Sequence, residues 1–295
     1  AELAAPAVHG PEQRVWRNRL GDEMANLREA LAWLERTAQA DAMLRMIGAL
    51  GDFWVHRGHL REGHDWVERA LATGGSPVPR IAALFSGAVI AFIVGNFAQS
   101  VSWTEEALLL VAESGDAGLE GRFLYNLVTT AWMQGDLDLA KLRAERAISR
   151  LREENDQIWL AWALSDIGTA MSAAGESDLA SRWSTEGLTL HRRLGNATGV
   201  AVKLMDDGAV VHAAGDVPTA AAAYSESLEI WRDLGDSWWT ASPLAGAAAV
   251  ACSLGEFQQG ARLLGVADRL RHASGAQPQP HERERDAAAK TAAVM

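Results

Sequence analysis

Three histidines, His56, His59 and His64, are the nearest this chain comes to a metal-ligand cluster. A helical metal pair sets its ligands four residues apart on one face. These three straddle a predicted helix break, so no metal site is expected and the rings read as surface histidines. Serine, aspartate and histidine are all present, but no nucleophile motif groups them, and the chain is not expected to be an enzyme. There is no GxxxxGK loop to cradle a nucleotide and no basic recognition helix to read DNA. No cofactor is implied. Another chemistry is offered by a polar column, Asn126, Asp166 and Asp206, with Asp207 beside the last. Polar groups stacked at one register can form a hydrogen-bonded ladder or receive a cationic ligand. Lys203 lies one turn from Asp206 and Asp207 and can pair with them. Asp207 holds a register filled elsewhere by Leu50, Leu127 and Ile167. An acid there is costly unless satisfied, so it marks either a polar network or a slipped helix.

The elements that must carry these residues are set by a repeat. Gly95-Asn96, Gly135-Asp136, Gly175-Glu176, Gly215-Asp216 and Gly255-Glu256 recur every 40 residues, and Gly58-His59 precedes them. A second series, Gly115-Asp116, Asn155-Asp156, Gly195-Asn196, Gly235-Asp236 and Gly275-Ala276, runs half a period out of phase. Two interleaved turn series mean helix, turn, helix, turn, six times over. A fixed period of this size is the mark of a solenoid. The expected fold is all-α, a right-handed superhelix of six long helix pairs. It would form a single domain over 1–295, with capping helices in 1–40, repeats in 41–274 and a closing tail in 275–295.

Charge narrows the partners. Thirty-eight acidic against 27 basic residues leave a formal charge of -11, which repels phosphate backbones and anionic lipid. Direct nucleic-acid or membrane binding is therefore not expected. The single cysteine, Cys252, rules out an internal disulfide framework and fits a reducing cytosol. No apolar run is long enough to span a membrane, and the first residues lack the pattern of a signal peptide. A cytoplasmic location is expected. The absent initiator Met and the ending at Met295 suggest an excerpt from a longer chain.

Residues 1–12, with Pro6, Gly10 and Pro11, read as an irregular lead-in. From Gln13 to Thr37 the apolar residues Trp16, Leu20, Met24, Leu27, Leu31 and Leu34 form one helical stripe. Gly21-Asp22 is expected to divide it, with Asp22 as a cap. Within the repeats, the positions five residues after each turn glycine are Gly63, Ser100, Ala140, Ala180, Ala220 and Gly260. Twelve residues after it stand Ala70, Ala107, Ala147, Gly187, Ser227 and Ala267. Small side chains at one register let two helices approach closely, and Trp66, Trp103 and Trp183 stand beside them as knobs. Pro243 falls inside a predicted helix and should make it start late or kink. One ring of Trp238-Trp239 is expected in the core. His281 to Ala293 reads as a closing helix.

The Gly–Asp turn followed by small residues at five and twelve resembles the tetratricopeptide repeat, here with a period of 40 in place of the usual 34. The words "LGDEMANLREALAWL" (20–34), "GHLREGHDWVERAL" (58–71) and "GARLLGVADRLRHASGA" (260–276) are similar to the repeat region of signal-transduction ATPases with a nucleotide-binding switch (STAND), of the LuxR-type regulators. The resemblance implies a sensing or autoinhibitory arm, joined in the parent protein to ATPase and DNA-binding domains that this chain does not contain. It also implies that positions thirteen, ten, six and three before the turn glycine face the concave side. These are Arg45, Asp52, Phe85, Phe92, Arg122, Tyr125, Thr129, Trp132, Trp162, Ser165, Thr169, Met205 and His212; Asn126, Asp166 and Asp206 complete the candidate set. An aromatic-lined groove with a few donors suits a peptide, a sugar or another small ligand, or a protein partner. The same rings can instead be core between repeats. The expected function is a ligand- or partner-sensing domain of a transcriptional regulator. A scaffold or oligomerisation module, or a peptide-pheromone receptor, is the alternative.

Overall fold

The computed structural model describes residues 1–5, 7–114, 119–274, 278 and 280–294. The turn pairs Gly115-Asp116 and Gly275-Ala276 lie outside them, as does the side chain of Trp238. All regular structure among the described residues is helical. The chain divides into two compact units, Ala1–Gly195 and Asn196–Met295.

The first unit opens with a 3-10 turn at Ala7–His9. It continues through α1 (Gln13–Asp22), α2 (Met24–Arg36), α3 (Ala40–Arg57), α4 (Leu60–Ala72), α5 (Pro77–Ile93), α6 (Phe97–Ser114), α7 (Glu120–Met133), α8 (Leu137–Glu153), α9 (Gln157–Ala173) and α10 (Ser177–Arg193). From α3 onward the helices pack in sequential pairs, and α3, α5, α7 and α9 also touch one another in that order. The second unit holds α11 (Ala197–Ala213), α12 (Val217–Leu234), a 3-10 turn at Ser237–Thr240, α13 (Ala241–Ser253), α14 (Phe257–Ser274) and α15 (Pro280–Val294).

The turn series works by a local device. Gly95, Gly135, Gly175, Gly215 and Gly255 have φ between 82° and 88°, the left-handed region where a side chain would be strained. Each closes the preceding helix. At the better-capped joints the next residue caps the helix that follows: Asp136 accepts from Leu139 N at 3.0 Å and Asp216 from Thr219 N at 3.1 Å. Asn155, at φ 53°, takes the glycine's place in the second series, and Asp156 beyond it caps α9.

All twelve small positions are buried. The closest approach is between α9 and α10. A Cβ on Gly187 would stand 2.8 Å from the backbone nitrogen of Ser165, and one on Gly168 would stand 3.0 Å from that of Ser184. Trp66, Trp103 and Trp183 are buried, with Trp103 lying against Gly87. In the second unit Trp239 stacks on Trp231 at 5.3 Å, and α13 starts late, at Ala241, which leaves Pro243 in its first turn.

One expectation for the N-terminal region needs correction. The break between α1 and α2 falls at Glu23, Asp22 ends α1, and no side chain caps α2. The lead-in is irregular, as expected, apart from its 3-10 turn, and it is packed: Ala4, Val8 and His9 are buried, and so are Gln13 and Arg17 on α1. Among the histidines, His56 is buried rather than on the surface.

Candidate functional site

Asp156 caps α9, and Trp159 follows in the first turn, where its backbone N–H donates to the Asp156 carboxylate at 3.2 Å. That geometry directs a large ring toward the neighbouring helices. Phe85 of α5 meets Trp159 edge-on at 4.8 Å and Phe123 of α7 at 5.5 Å. Tyr125 lies 6.2 Å from the same indole, and its hydroxyl donates to Asp166. Arg122 bridges acid and ring: its Nε donates to Asp156 at 2.6 Å and its guanidinium lies 5.6 Å from the Trp159 ring centre.

These groups wall a cavity of about 330 Å³. Asp52 of α3, Phe85 and Ser86 of α5, Arg122 and Phe123 of α7, and Asp156 and Trp159 of α9 line it. Its roof comes from the lead-in, through Ala5 and His9. His9 Nε2 lies 2.7 Å from the Asp52 carboxylate, and the ring stands edge-on to Trp159 at 5.7 Å and to His56 at 6.1 Å. The other ring nitrogen of His9, Nδ1, is buried and has no hydrogen-bond partner among the described residues. Behind the roof, Arg17 is fully buried and donates to the Val8 carbonyl at 3.0 Å.

The electrostatics are coupled. Burial alone would raise the Asp52 carboxyl, but His9, Arg17 and Arg122 outweigh it and hold it below its ordinary value. Burial, then the charges of Arg17 and His9, push His56 well below its ordinary value of 6.5. A histidine neutral in the fold but able to take a proton when unfolded makes the unfolded chain bind more protons. Stability is therefore complete above pH 6.5 and falls as pH drops below it. Asp52 adds a loss in the same direction at still lower pH, because its stabilisation is present above 3.8 and disappears as the depressed carboxyl is protonated. The unfolding midpoint should drop between pH 7.5 and 5.5, and His56→Gln should flatten that slope. An unchanged slope in the variant would assign the dependence elsewhere.

The cavity brings together Asp52, Phe85 and Arg122 from the residues singled out in the sequence, with Tyr125 and Asp166 beside it. The others are placed differently. Trp132 is buried in the core with Val128, Ala131 and Ile167. Asn126 is buried toward α6, where Thr104 and Ser100 reach its Oδ1 at 2.9 and 3.0 Å, so Asn126 and Asp166 have separate partners and do not form a ladder. Thr129, Ser165 and Thr169 are buried, with Thr129 and Thr169 bonded to carbonyls of their own helices. Trp162 packs edge-on against His191 at 4.9 Å. Phe92 lies against Phe97, and Arg45 is exposed, 3.2 Å from Glu2. In the second unit Met205 and Asp206 are buried, and His212 meets Ser253 at 3.1 Å. Lys203 pairs with Asp207, which satisfies the acid at that otherwise apolar register. On α4, His64, Asp65 and Glu68 present ligand atoms within 4.8 Å of one another, the last two exposed.

Trp159, Phe123, the lining role of Asp156 and the lead-in are parts of the site that sequence reasoning missed. Trp159 stands sixteen residues before its turn glycine, outside the inward registers. Residues 1–12 carry no periodicity to show where they pack.

No family model and no curated protein matches this chain. Solved structures do. A Rap protein complexed with Competence and Sporulation Factor is similar with a TM-score of 0.65 at 12% identity, over 86% of this chain and 77% of that one. The apo quorum sensor NprR from B. thuringiensis is similar with a TM-score of 0.52 at 13% identity, over 87% and 77%. A STAND protein with a tetratricopeptide-repeat sensor, from Pyrococcus horikoshii, gives 0.60 at 13%, covering 97% of this chain and 43% of that one. At these identities the likeness shows the fold, a tetratricopeptide-like solenoid of helix pairs. No helix among the described residues is long and apolar enough to cross a membrane.

Proposed function

We propose that this chain is the ligand-sensing repeat domain of a cytoplasmic transcriptional regulator of the LuxR-type STAND class, and that it binds a short peptide in the cavity of the first unit. The observation that carries the reading is the cavity itself. An aromatic wall of Phe85, Phe123 and Trp159 meets Arg122 and two carboxylates, Asp52 and Asp156, at one place. A peptide offers the matching set: an apolar side chain for the wall, and charged termini or side chains for the acids and the guanidinium. The structural likeness to a quorum sensor and to a STAND sensor supports a sensing role. Binding would act on attached ATPase and DNA-binding domains only insofar as the ligand favours one arrangement of the helix pairs over another. The chain would have no catalytic activity of its own.

The test is a titration of intrinsic tryptophan fluorescence with sets of short peptides, sugars and nucleotides. A saturable change with peptides, weakened at least tenfold by Arg122→Ala in a protein of unchanged helix content, is the expected result. A response to sugars alone would replace the ligand class. No response in any set, with Trp159 shielded from quencher, would favour a scaffold.

A further inference from the structure

We infer that the lead-in, through residues 4, 5 and 7–17, acts as a tethered occupant of this same site, and that an external peptide is admitted only by displacing it; the inference rests on the proposed binding role of the cavity. The segment crosses the groove. Glu2 just before it reaches Arg45 of α3, His9 sits between Asp52 of α3 and Trp159 of α9, and the Gln13 amide donates to the carbonyl of Gly195 beyond α10 at 3.3 Å. Pro11 packs so closely on Gly195 that a Cβ there would fall 2.8 Å from its ring. A segment of turns leading into α1 thus packs on helices remote from it in sequence, as a bound peptide would.

Two features mark the seat as one that can be vacated. Its buried apolar anchors are small: Ala4 and Val8 on the segment proper, each 1% exposed. Small anchors bury little apolar surface, so the apolar part of the hold is modest and the rest is polar, through His9, Gln13 and Arg17. The seat is also incompletely filled. The cavity remains open beneath Ala5 and His9, and the buried His9 Nδ1 lacks a partner among the described residues. A buried polar atom left unpaired is unfavourable. A peptide that fills the cavity and supplies its own donors and acceptors gains both contributions. Tethering works the other way. It gives the segment a local concentration on the order of millimolar, so a free peptide must bind more tightly than the segment does to displace it.

The experiment uses the full chain and a fluorescein-labelled synthetic peptide of residues 1–22 as probe. Val8→Asp and His9→Asp are made separately; the first buries a charge under the segment and the second sets a carboxylate against Asp52. Fluorescence anisotropy measures probe binding, circular dichroism checks the helices, and hydrogen exchange reports whether residues 7–17 have lost protection. The wild type should bind the probe weakly. A variant with the segment released should bind it at least tenfold more tightly, and adding Arg122→Ala should weaken that gain. Equal binding by the wild type and a released variant overturns the inference. So does retention of full protection in both variants, because the seat would then be fixed. The two readings fail separately. Library peptides that bind the wild type and a released variant equally would leave the binding role standing and remove the tethered competitor. A probe that binds only released variants, with no library ligand binding either, would keep the competitor and remove the small-peptide ligand.

Discussion

Replacing Trp159 with alanine should destabilise the first unit by about 3–5 kcal/mol, in the range of large-to-small changes at buried aromatics. The indole is 8% exposed and is the common neighbour of His9, Phe85, Tyr125 and Arg122. Its removal leaves a void where three rings meet and takes away the wall on which the roof rests. Urea unfolding should show the lost stability. Hydrogen exchange should show residues 7–17 losing protection before the helices of the unit do. Trp159→Phe should recover much of the stability, since a ring still fills the space. A loss under about 1 kcal/mol for Trp159→Ala would mean that the surrounding rings collapse into the space, and that the cavity wall is adaptable rather than preformed.

Arg285→Ala should destabilise the second unit by a similar amount, about 3–5 kcal/mol, for an electrostatic reason. The Arg285 side chain is 6% exposed and lies among Glu282, Asp286 and Tyr224, with the Asp286 carboxylate at 2.7 Å. Burial works against its charge, but the two carboxylates outweigh that and raise its affinity for the proton. Deleting the guanidinium removes one of the cations that face the buried Glu282 and Asp286, Arg271 being another. The cost is that of leaving two buried acids with less positive charge around them, more than of the lost attraction itself. The sharper test is the double change Arg285→Met with Asp286→Leu, which should recover a large part of the loss. If α15 stays docked and the unfolding midpoint is unmoved in Arg285→Ala, the network contributes little, and the helix is held by Ala289 in the apolar cluster it shares with α13 and α14.

The two predictions differ in how far the sequence anticipates them. A charged, alanine-rich closing helix is readable from residues 281–293, but not which of its charges is buried. Trp159 is one of twelve tryptophans and falls outside the repeat's inward registers. Asp52, Phe85 and Arg122 fall inside them and do meet at the cavity. Trp132 satisfies the same register rule, yet it is 4% exposed. Its place in the core means that Trp132→Ala would test packing rather than binding. Register says which way a side chain leaves its helix, whereas the distance to the next helix decides whether a groove or a core receives it. Asn126 makes the same point, since its neighbours Ser100 and Thr104 belong to another helix.

What the sequence determined by itself is the succession of helix pairs. Glycine at a left-handed turn, an Asp or Asn cap after it, and small residues at two fixed offsets are local requirements, and a period of 40 residues repeats them until no other fold is consistent. What only the tertiary structure decided is the destination of the non-repeating parts. The place of His9 against α3 and α9 comes from its fit between Asp52 and Trp159. Those partners are 43 and 150 residues away in the chain. Periodicity reports on neighbours within a turn or a repeat. A contact made once, across many repeats, leaves no periodic trace, and it is such contacts that close the site.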